Sequence, residues 1–520
     1  MPEAVIKRAC RSLCLGSVLL LSACTTLGPD YTEPALEWAE KWETDLYGQF
    51  GSVDAQTEMD LQYWWRRFND PVLDRLIDIA REDNPSLRIA GLRILESRAT
   101  LGIATSLRYP QAQQATGSIT YINRQDTQGK TEQSFSQGDV ALAAAWELDF
   151  WGRFQRGIES ADAAFFSSIT NQRDAQVLLF AQVADLYYAY RTSVLRVFIA
   201  EENANIQKRS FEITEQLFKS GQDSELDLQQ AKTQYLATLS TIPDLEITRT
   251  QVYNALCALL GRAPGDLDEL PESTELLPEI AQPKVTEIPA KLLLRRPDVR
   301  SAAWQIAAQS PQIGAAKADL YPSISLLGSI GITGNTLDDS DDIVTLGVGP
   351  SLTWNIFDYG RIKNNVRVQD ARLQIAIENF QNAVLQAARE IDDAAINVVK
   401  TREIEKTLTA SLKAARRSLE LATKSYQEGY ADFQRVLDAQ RAVAAQSEAD
   451  LINQGRQITA VISLYRSIGG GWTPTTIEQL VPEATRSTMD ERSNWGDLLS
   501  APLPTVPETS SPPEEEISNE

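Results

Sequence analysis

The chain has 520 residues, with 71 acidic against 49 basic side chains, a formal net charge of −22 and no histidine. That charge argues against a nucleic-acid partner, because affinity for phosphate backbones rests on Lys and Arg. The missing histidine removes the side chain most used for acid–base catalysis near neutral pH and for metal binding; nor is there a nucleotide-binding glycine loop, a zinc-type cluster or a nucleophile motif with a recognisable base, so no enzyme activity, metal or cofactor is expected.

Residues 1–23 read as an export signal. Lys7, Arg8 and Arg11 precede an apolar stretch from Leu13 to Leu21, which is too short to span a bilayer stably. The ending Leu21-Ser-Ala-Cys24 resembles a bacterial lipobox, in which Cys24 is lipidated and becomes the first residue; a conventional signal with an incidental cysteine is the alternative. Acyl chains hold such a protein to a membrane through buried methylenes. Thr25 is not the aspartate that commonly retains lipoproteins at the inner membrane, which favours the outer one. Residues 24–60 then form a lipid-anchored N-terminal segment. No later apolar run is long enough for a membrane helix, so a membrane-crossing mature chain must cross as β-strands.

From residue 61 the chain says the same thing twice. Residues 61–265 form a first repeat, 266–288 a linker and 289–472 a second repeat. Trp146 and Trp354 each stand just before a Gly-Arg pair, Gly152-Arg153 and Gly360-Arg361. Leu217-Phe-Lys-Ser-Gly221 answers Ser425-Tyr-Gln-Glu-Gly429, and Tyr109-Pro110 answers Tyr321-Pro322. The offset is roughly 210 residues, far outside solenoid periods of about 20–50, and points to a duplicated supersecondary unit.

Each copy carries a strand pair, at about 112–148 and about 322–354. In the second, Ile324, Leu326, Gly328, Ile330 and Ile332 alternate with mostly polar neighbours; after a polar turn Val344, Leu346, Val348, Pro350 and Leu352 do the same. Two alternating segments of about ten residues joined by a polar loop fit a membrane β-hairpin, or equally a soluble hairpin with one buried face. Trp146, Trp151, Trp354 and Tyr359 would then lie near a membrane interface. Four strands cannot close a barrel, since the smallest have about eight, but three chains would supply twelve.

Helical hairpins follow, at about 154–260 and about 361–468. Proline is missing from the first, longer arm of each, and at 1.5 Å per residue some 65 residues reach about 100 Å. Gly221 and Gly429 interrupt the helices and mark the tips. Cys257, in an apolar run, is a small buried residue. Arg295-Arg296 in Leu294-Arg-Arg-Pro-Asp298 suggests either an anion site or, more simply, a helix start with Pro297 in its first turn. Residues 473–520 form a C-terminal segment rich in Pro, Ser, Thr and Glu, expected to be largely disordered from about 485.

Several motifs together resemble the outer-membrane efflux channels of Gram-negative bacteria, and more closely the lipidated branch that serves resistance-nodulation-division pumps. They are Trp146-Glu-Leu-Asp-Phe-Trp-Gly-Arg153, Leu292-Leu-Leu-Arg-Arg-Pro-Asp-Val-Arg300, Leu320-Tyr-Pro-Ser323, Asn355-Ile-Phe-Asp-Tyr-Gly-Arg361, Ser425-Tyr-Gln-Glu-Gly429 and Leu437-Asp-Ala-Gln-Arg441. The resemblance implies a mainly α fold with transmembrane β-structure: a homotrimer whose twelve-stranded barrel, four strands per chain, continues into a long periplasmic α-barrel. It implies a passive exit duct for drugs or other small toxic compounds, supplied by an inner-membrane pump through a periplasmic adaptor. A type I protein secretion channel or a non-channel periplasmic lipoprotein scaffold are the alternatives.

In that family the periplasmic end closes where helix tips converge. Asp227 near the first tip, and Tyr426, Asp438 and Arg441 at the second, match gate positions. Arg435, Asp438 and Arg441 are spaced by three and share one helix face, which by itself is also the pattern of a solvated charge ladder. Ala431 and Arg435 stand where some members carry an arginine and an aspartate, so the wiring of the gate differs here.

Overall fold

The computed structural model describes residues 26–34, 47, 61–125, 132–267, 270, 275–278, 293–336 and 342–507. Cys24 and the export signal lie outside the described residues. A 3-10 helix at Trp64–Phe68 leads into α1 (Pro71–Asp83) and α2 (Pro85–Ser106), then β1 (Ala112–Gln125), β2 (Glu132–Leu148), and the hairpin of α3 (Arg153–Lys219) and α4 (Glu225–Leu259). The second copy has α5 (Pro297–Ala318), β3 (Ser323–Asn335), β4 (Ile343–Thr353), α6 (Arg361–Gln427) and α7 (Phe433–Ser467); α8 (Ile477–Leu480) and α9 (Glu483–Ser493) close the chain.

The strands form one antiparallel sheet in the order β1-β2-β3-β4, so β1 and β4 are free edges. Register puts most of the apolar residues of all four strands on one face. Gly117, Val140, Ile332 and Val344 form one row, Ala115, Leu142, Ile330 and Leu346 the next, and Gln113, Ala144, Gly328 and Val348 a third. Val140, Leu142, Ile330, Leu346 and Val348 are all exposed, Val348 to 83%. A soluble sheet would bury this face. The opposite face carries mostly small or polar side chains, among them Ser118 and Thr333, which both donate to Asp139 at 3.3 and 2.8 Å. Ile122, Phe135, Leu327 and Ile343 are apolar exceptions there.

Helices α3 and α6 are each 67 residues long. Both start at a glycine with positive φ, Gly152 (72°) and Gly360 (85°). Asp358 accepts from the amides of Gly360 and Ile362 at 2.9 and 2.7 Å, meeting donors that a helix start leaves unpaired. Both end in the same way. Gly221 (φ 72°) and Gly429 (φ 79°) adopt the left-handed conformation, and the following amides, of Gln222 and Tyr430, reach back to the carbonyls of Leu217 and Ser425. This is a Schellman cap, which a side chain with Cβ would strain.

The core sits part-way along the long helices, where the short ones wrap them. Trp64 stacks on Tyr465 at 5.5 Å, Trp65 meets Phe180 edge-on at 5.2 Å, and Phe166 stacks on Trp304 at 4.7 Å. Cys257 is fully buried and free. Asp70 caps α1 and accepts from Tyr187 Oη at 2.9 Å. Away from this girdle the hairpins are thinly covered. Of α4, only Ala231, Leu256 and Cys257 are buried, while Leu226, Leu236 and Ile247 are exposed. Strand edges and helix flanks both lack partners within one chain.

Both chain ends behave differently from what composition suggests. The expectation of disorder from about residue 485 fails for residues up to 507, which contain most of α9 and a 3-10 turn at Gly496–Leu499. Arg98, a buried guanidinium, donates to the carbonyls of Leu498, Ala501 and Pro502 at 2.8–2.9 Å, and Met489, Leu499, Leu503 and Val506 pack on the core, so a few distant contacts hold the segment. Residues 508–520 lie outside the described residues. At the other end, Leu27 donates to Trp151 O at 3.2 Å, and its own carbonyl accepts from Arg156 Nε at 3.1 Å. A Cβ on Gly314 would stand 2.1 Å from that carbonyl, so only glycine allows the N-terminal strap to lie across α5.

Two carboxyls on α3 make stability pH-dependent. Burial pushes Asp174 up to about 6, helped by Asp298 and Glu390 against Arg296; burial does the same for Asp185, against Arg466. Because the folded chain holds these protons more tightly than the unfolded one, their contribution is fully favourable below about pH 4 and is lost as pH rises through about 6. Above that, each ionised carboxylate costs the fold about 3 kcal/mol. Asp185→Asn is therefore expected to raise Tm at pH 7.5, with the gain gone near pH 4. An unchanged Tm at pH 7.5 would contradict this.

Candidate functional site at the hairpin tips

The two helical hairpins of one chain meet near their tips in a small cluster of their own. Phe433, Val436 and Leu437 of α7 and Ala231 of α4 are buried, with Phe211, Leu419, Ala422 and Tyr426 packed around them. Burying that face turns the other face of α7 outward: Gln434, Arg435, Asp438 and Arg441 are exposed. The three-residue spacing of the charges thus reports a real face, set by the apolar residues between them.

Three described polar links cross from one hairpin to the other near the tips; in one, Gln440 Nε2 of α7 donates to Ser210 Oγ of α3 at 2.7 Å. Tyr426 Oη, in the last turn of α6, donates to Asp223 Oδ2 at 2.5 Å, beside the first tip. Burial and the adjacent Asp223 carboxylate raise the Tyr426 pKa, so the phenol remains a donor. Arg441 Nε donates to Gln234 Oε1 of α4 at 2.8 Å, and its Nη1 lies 3.5 Å from Asp438. Asp438 also accepts from Gln434 at 3.1 Å. The Arg441–Asp438 pair is half-exposed, with side chains 52% and 61% accessible, so it contributes at most about 1 kcal/mol.

Asp227 lies in the first turn of α4 and bonds locally, accepting from Ser224 Oγ at 2.7 Å, while Ser224 caps its amide at 3.1 Å. Burial, then Asp223 and Asp432, raise its pKa despite the Ser224 bond. Arg435 is exposed and makes no side-chain bond among the described residues. Asp223 and Gln234 were not singled out in the sequence. Asp223 lies two residues beyond Gly221, but nothing local marks it as the acceptor of a tyrosine in the other repeat.

This arrangement puts matched tips, matched strands and unpartnered flanks on each half of the chain. The sequence matches the family described as "Outer membrane efflux protein" over residues 76–262 and again over 288–470, one match per repeat. The chain belongs to that family. It is 31% identical over 475 residues to the solvent efflux pump outer membrane protein SrpC of Pseudomonas putida, covering 89% of this chain and 98% of that one. It is 27% identical to a probable outer membrane lipoprotein, SilC, of Salmonella typhimurium, with 88% and 98% covered. Among solved structures it is similar to the outer-membrane channel OprN, with a TM-score of 0.76, 30% identity, and 86% of this chain and all of that one covered.

The protein is thus an outer-membrane efflux channel. Its fold is that of a trimer, in which strands of three chains close one β-barrel and their hairpins continue it as an α-barrel. The exposed apolar face of the sheet meets lipid, the free edges of β1 and β4 pair between chains, and the bare flanks of the hairpins become subunit contacts. Trp354, Ile356, Phe357 and Tyr359, all more than half exposed, lie where β4 passes into α6 at the membrane boundary.

Proposed function

We propose that the channel is a passive exit duct for small toxic compounds, gated at the hairpin tips and tethered through a lipid on Cys24. A periplasmic adaptor holds the tips and an inner-membrane pump of the resistance-nodulation-division type supplies substrate and energy; the duct itself does no chemistry. The carrying observation is the pair of links near the tips, Tyr426–Asp223 and Arg441–Gln234, which fasten one hairpin to the other. Arg435 and Asp438 stand exposed beside them and Asp227 faces them from the first tip. Breaking the links frees the hairpins to part. SrpC belongs to a solvent efflux pump, which supports organic solutes as cargo.

The N-terminal strap supports the lipid anchor. Thr26 lies against Gly152, where β2 passes into α3 at the membrane boundary, and Arg156 pins Leu27 and Asp30 there. Cys24 precedes Thr26 by two residues in the sequence.

Cells lacking the chain should accumulate a fluorescent dye such as ethidium several-fold above parental cells, and a plasmid copy should restore its export. The Cys24→Ser form should lose incorporation of labelled palmitate. Unchanged accumulation on deletion would sink the efflux reading, and palmitate retained on the serine form would sink the anchor.

A further inference from the structure

A cleft of about 460 Å³ lies in the girdle, away from both the tips and the sheet, between α3, the start of α5 and the residues that follow α7. Its lining includes Arg173, Arg295 and Arg300, the apolar side chains of Leu61, Leu294 and Trp472, and the last described residues Val506 and Pro507. No described lining residue is acidic. Arg296, next in sequence, is not part of it: that guanidinium is used up by Asp298, Glu390 and the carbonyl of Ser467.

Arg173 is the unusual member. Its guanidinium lies over the Trp472 ring at 4.5 Å, and no acceptor among the described residues takes a hydrogen bond from it. Burial and the neighbouring Arg300 push its pKa down to about 10, so it is still charged at neutral pH with no counter-charge among the described residues. Arg300 points into the same cleft, with its side chain only 12% exposed; it pairs with Glu33 at 3.4 Å and donates to Pro507 O at 2.8 Å. A half-buried positive charge placed as Arg173 is placed is costly without an anion.

We propose that this cleft is a carboxylate-binding site, in which Arg173, held flat on Trp472, takes the carboxylate in a forked pair of hydrogen bonds while Leu61, Leu294 and Trp472 cover the apolar stem. The planar fork of arginine fits a carboxylate, and stacking on an aromatic ring fixes its orientation. A carboxylate on a short aliphatic stem, as in a glutamyl side chain, suits a cleft that is part apolar. Two sources carry that chemistry. One is external, a periplasmic acidic peptide or dicarboxylate. The other is the chain's own continuation, since Glu508 follows Pro507 at the cleft's edge and Glu514, Glu515, Glu516 and Glu520 come after it with no basic residue.

The test uses the full-length detergent-purified trimer in which Glu508, Glu514, Glu515, Glu516 and Glu520 are each changed to Gln. Titration calorimetry with glutarate, and with a synthetic peptide of residues 507–520 in its native sequence, should give saturable binding of at least one probe. Arg173→Gln should weaken it at least tenfold, and Arg173→Lys, which keeps the charge but not the fork, should fall between. If the parent with its native tail binds more weakly than the Gln-tail form, the chain's own glutamates occupy the site; equal binding assigns it to an external carboxylate. Absence of saturable binding, or equal binding by Arg173→Gln, would overturn the proposal. So would a trimer that dissociates on Arg173→Gln, since that places the arginine in a subunit contact.

Discussion

Changing Tyr426 to Phe together with Arg441 to Ala should raise the ion conductance of the channel in planar bilayers at least tenfold. The two changes remove two of the three described polar links between the hairpins near their tips and leave the one from Gln440 to Ser210. A hydrogen bond to a charged partner contributes about 1.5–3 kcal/mol, the range for the part-buried Tyr426–Asp223 link, while the exposed Arg441–Gln234 link contributes about 1 kcal/mol. With the tips of three chains converging in the gate proposed above, the closed state loses on the order of 10 kcal/mol in all if nothing replaces the links. Since about 1.4 kcal/mol shifts an equilibrium tenfold, even a small fraction of that total suffices. Asp438→Ala alone should do less, because its pair with Arg441 is half-exposed and Gln434 is its other partner. Arg435 has no described bond to lose, so Arg435→Ala serves as the control for a change of charge. Unchanged conductance in both single variants and in their combination would remove these residues from the gate.

The second large effect is set by the two faces of the sheet. Leu346 and Thr345 are neighbours on β4, yet Leu346 joins the apolar row with Ile330 and Leu142 while Thr345 pairs with Gly331 on the other face. Arginine on the lipid face near the bilayer middle costs about 2–4 kcal/mol per chain, and the trimer incurs it three times. Leu346→Arg is therefore expected to reduce assembled trimer in outer-membrane fractions at least tenfold, whereas Thr345→Arg should assemble normally and alter only ion selectivity. Equal assembly of the two would mean that the apolar face does not meet lipid.

Much of the fold was legible because the local rules agree with each other. Alternation over Ile324–Ile332 and Val344–Leu352 specifies strands, and the register then aligns those residues into one face. The proline-free runs ending at Gly221 and Gly429 specify long helices with Schellman caps, and duplication lets each copy check the other. The spacing of Arg435, Asp438 and Arg441 specifies a shared face. It does not specify partners, and only Arg441 finds one on the other hairpin. What stayed hidden depends on distant segments meeting. Asp223 becomes Tyr426's acceptor only when the hairpins converge. Arg98 orders a Pro-rich, apolar-poor segment through its carbonyls, which composition cannot reveal. Gly314 looks like any helical glycine until Leu27 crosses it. Arg295 and Arg296 look alike in sequence, but the fold binds Arg296 to Asp298, Glu390 and Ser467 and places Arg295 in the lining of the girdle cleft.

The central claim is that this chain is incomplete alone: two free strand edges, an exposed apolar face and bare hairpin flanks are all completed by other copies. Native mass spectrometry of the full-length protein, extracted from outer membranes in mild detergent, tests it most directly. Three chains per particle is the predicted result. A folded monomer carrying the same four-stranded sheet would contradict it, since no barrel could then close.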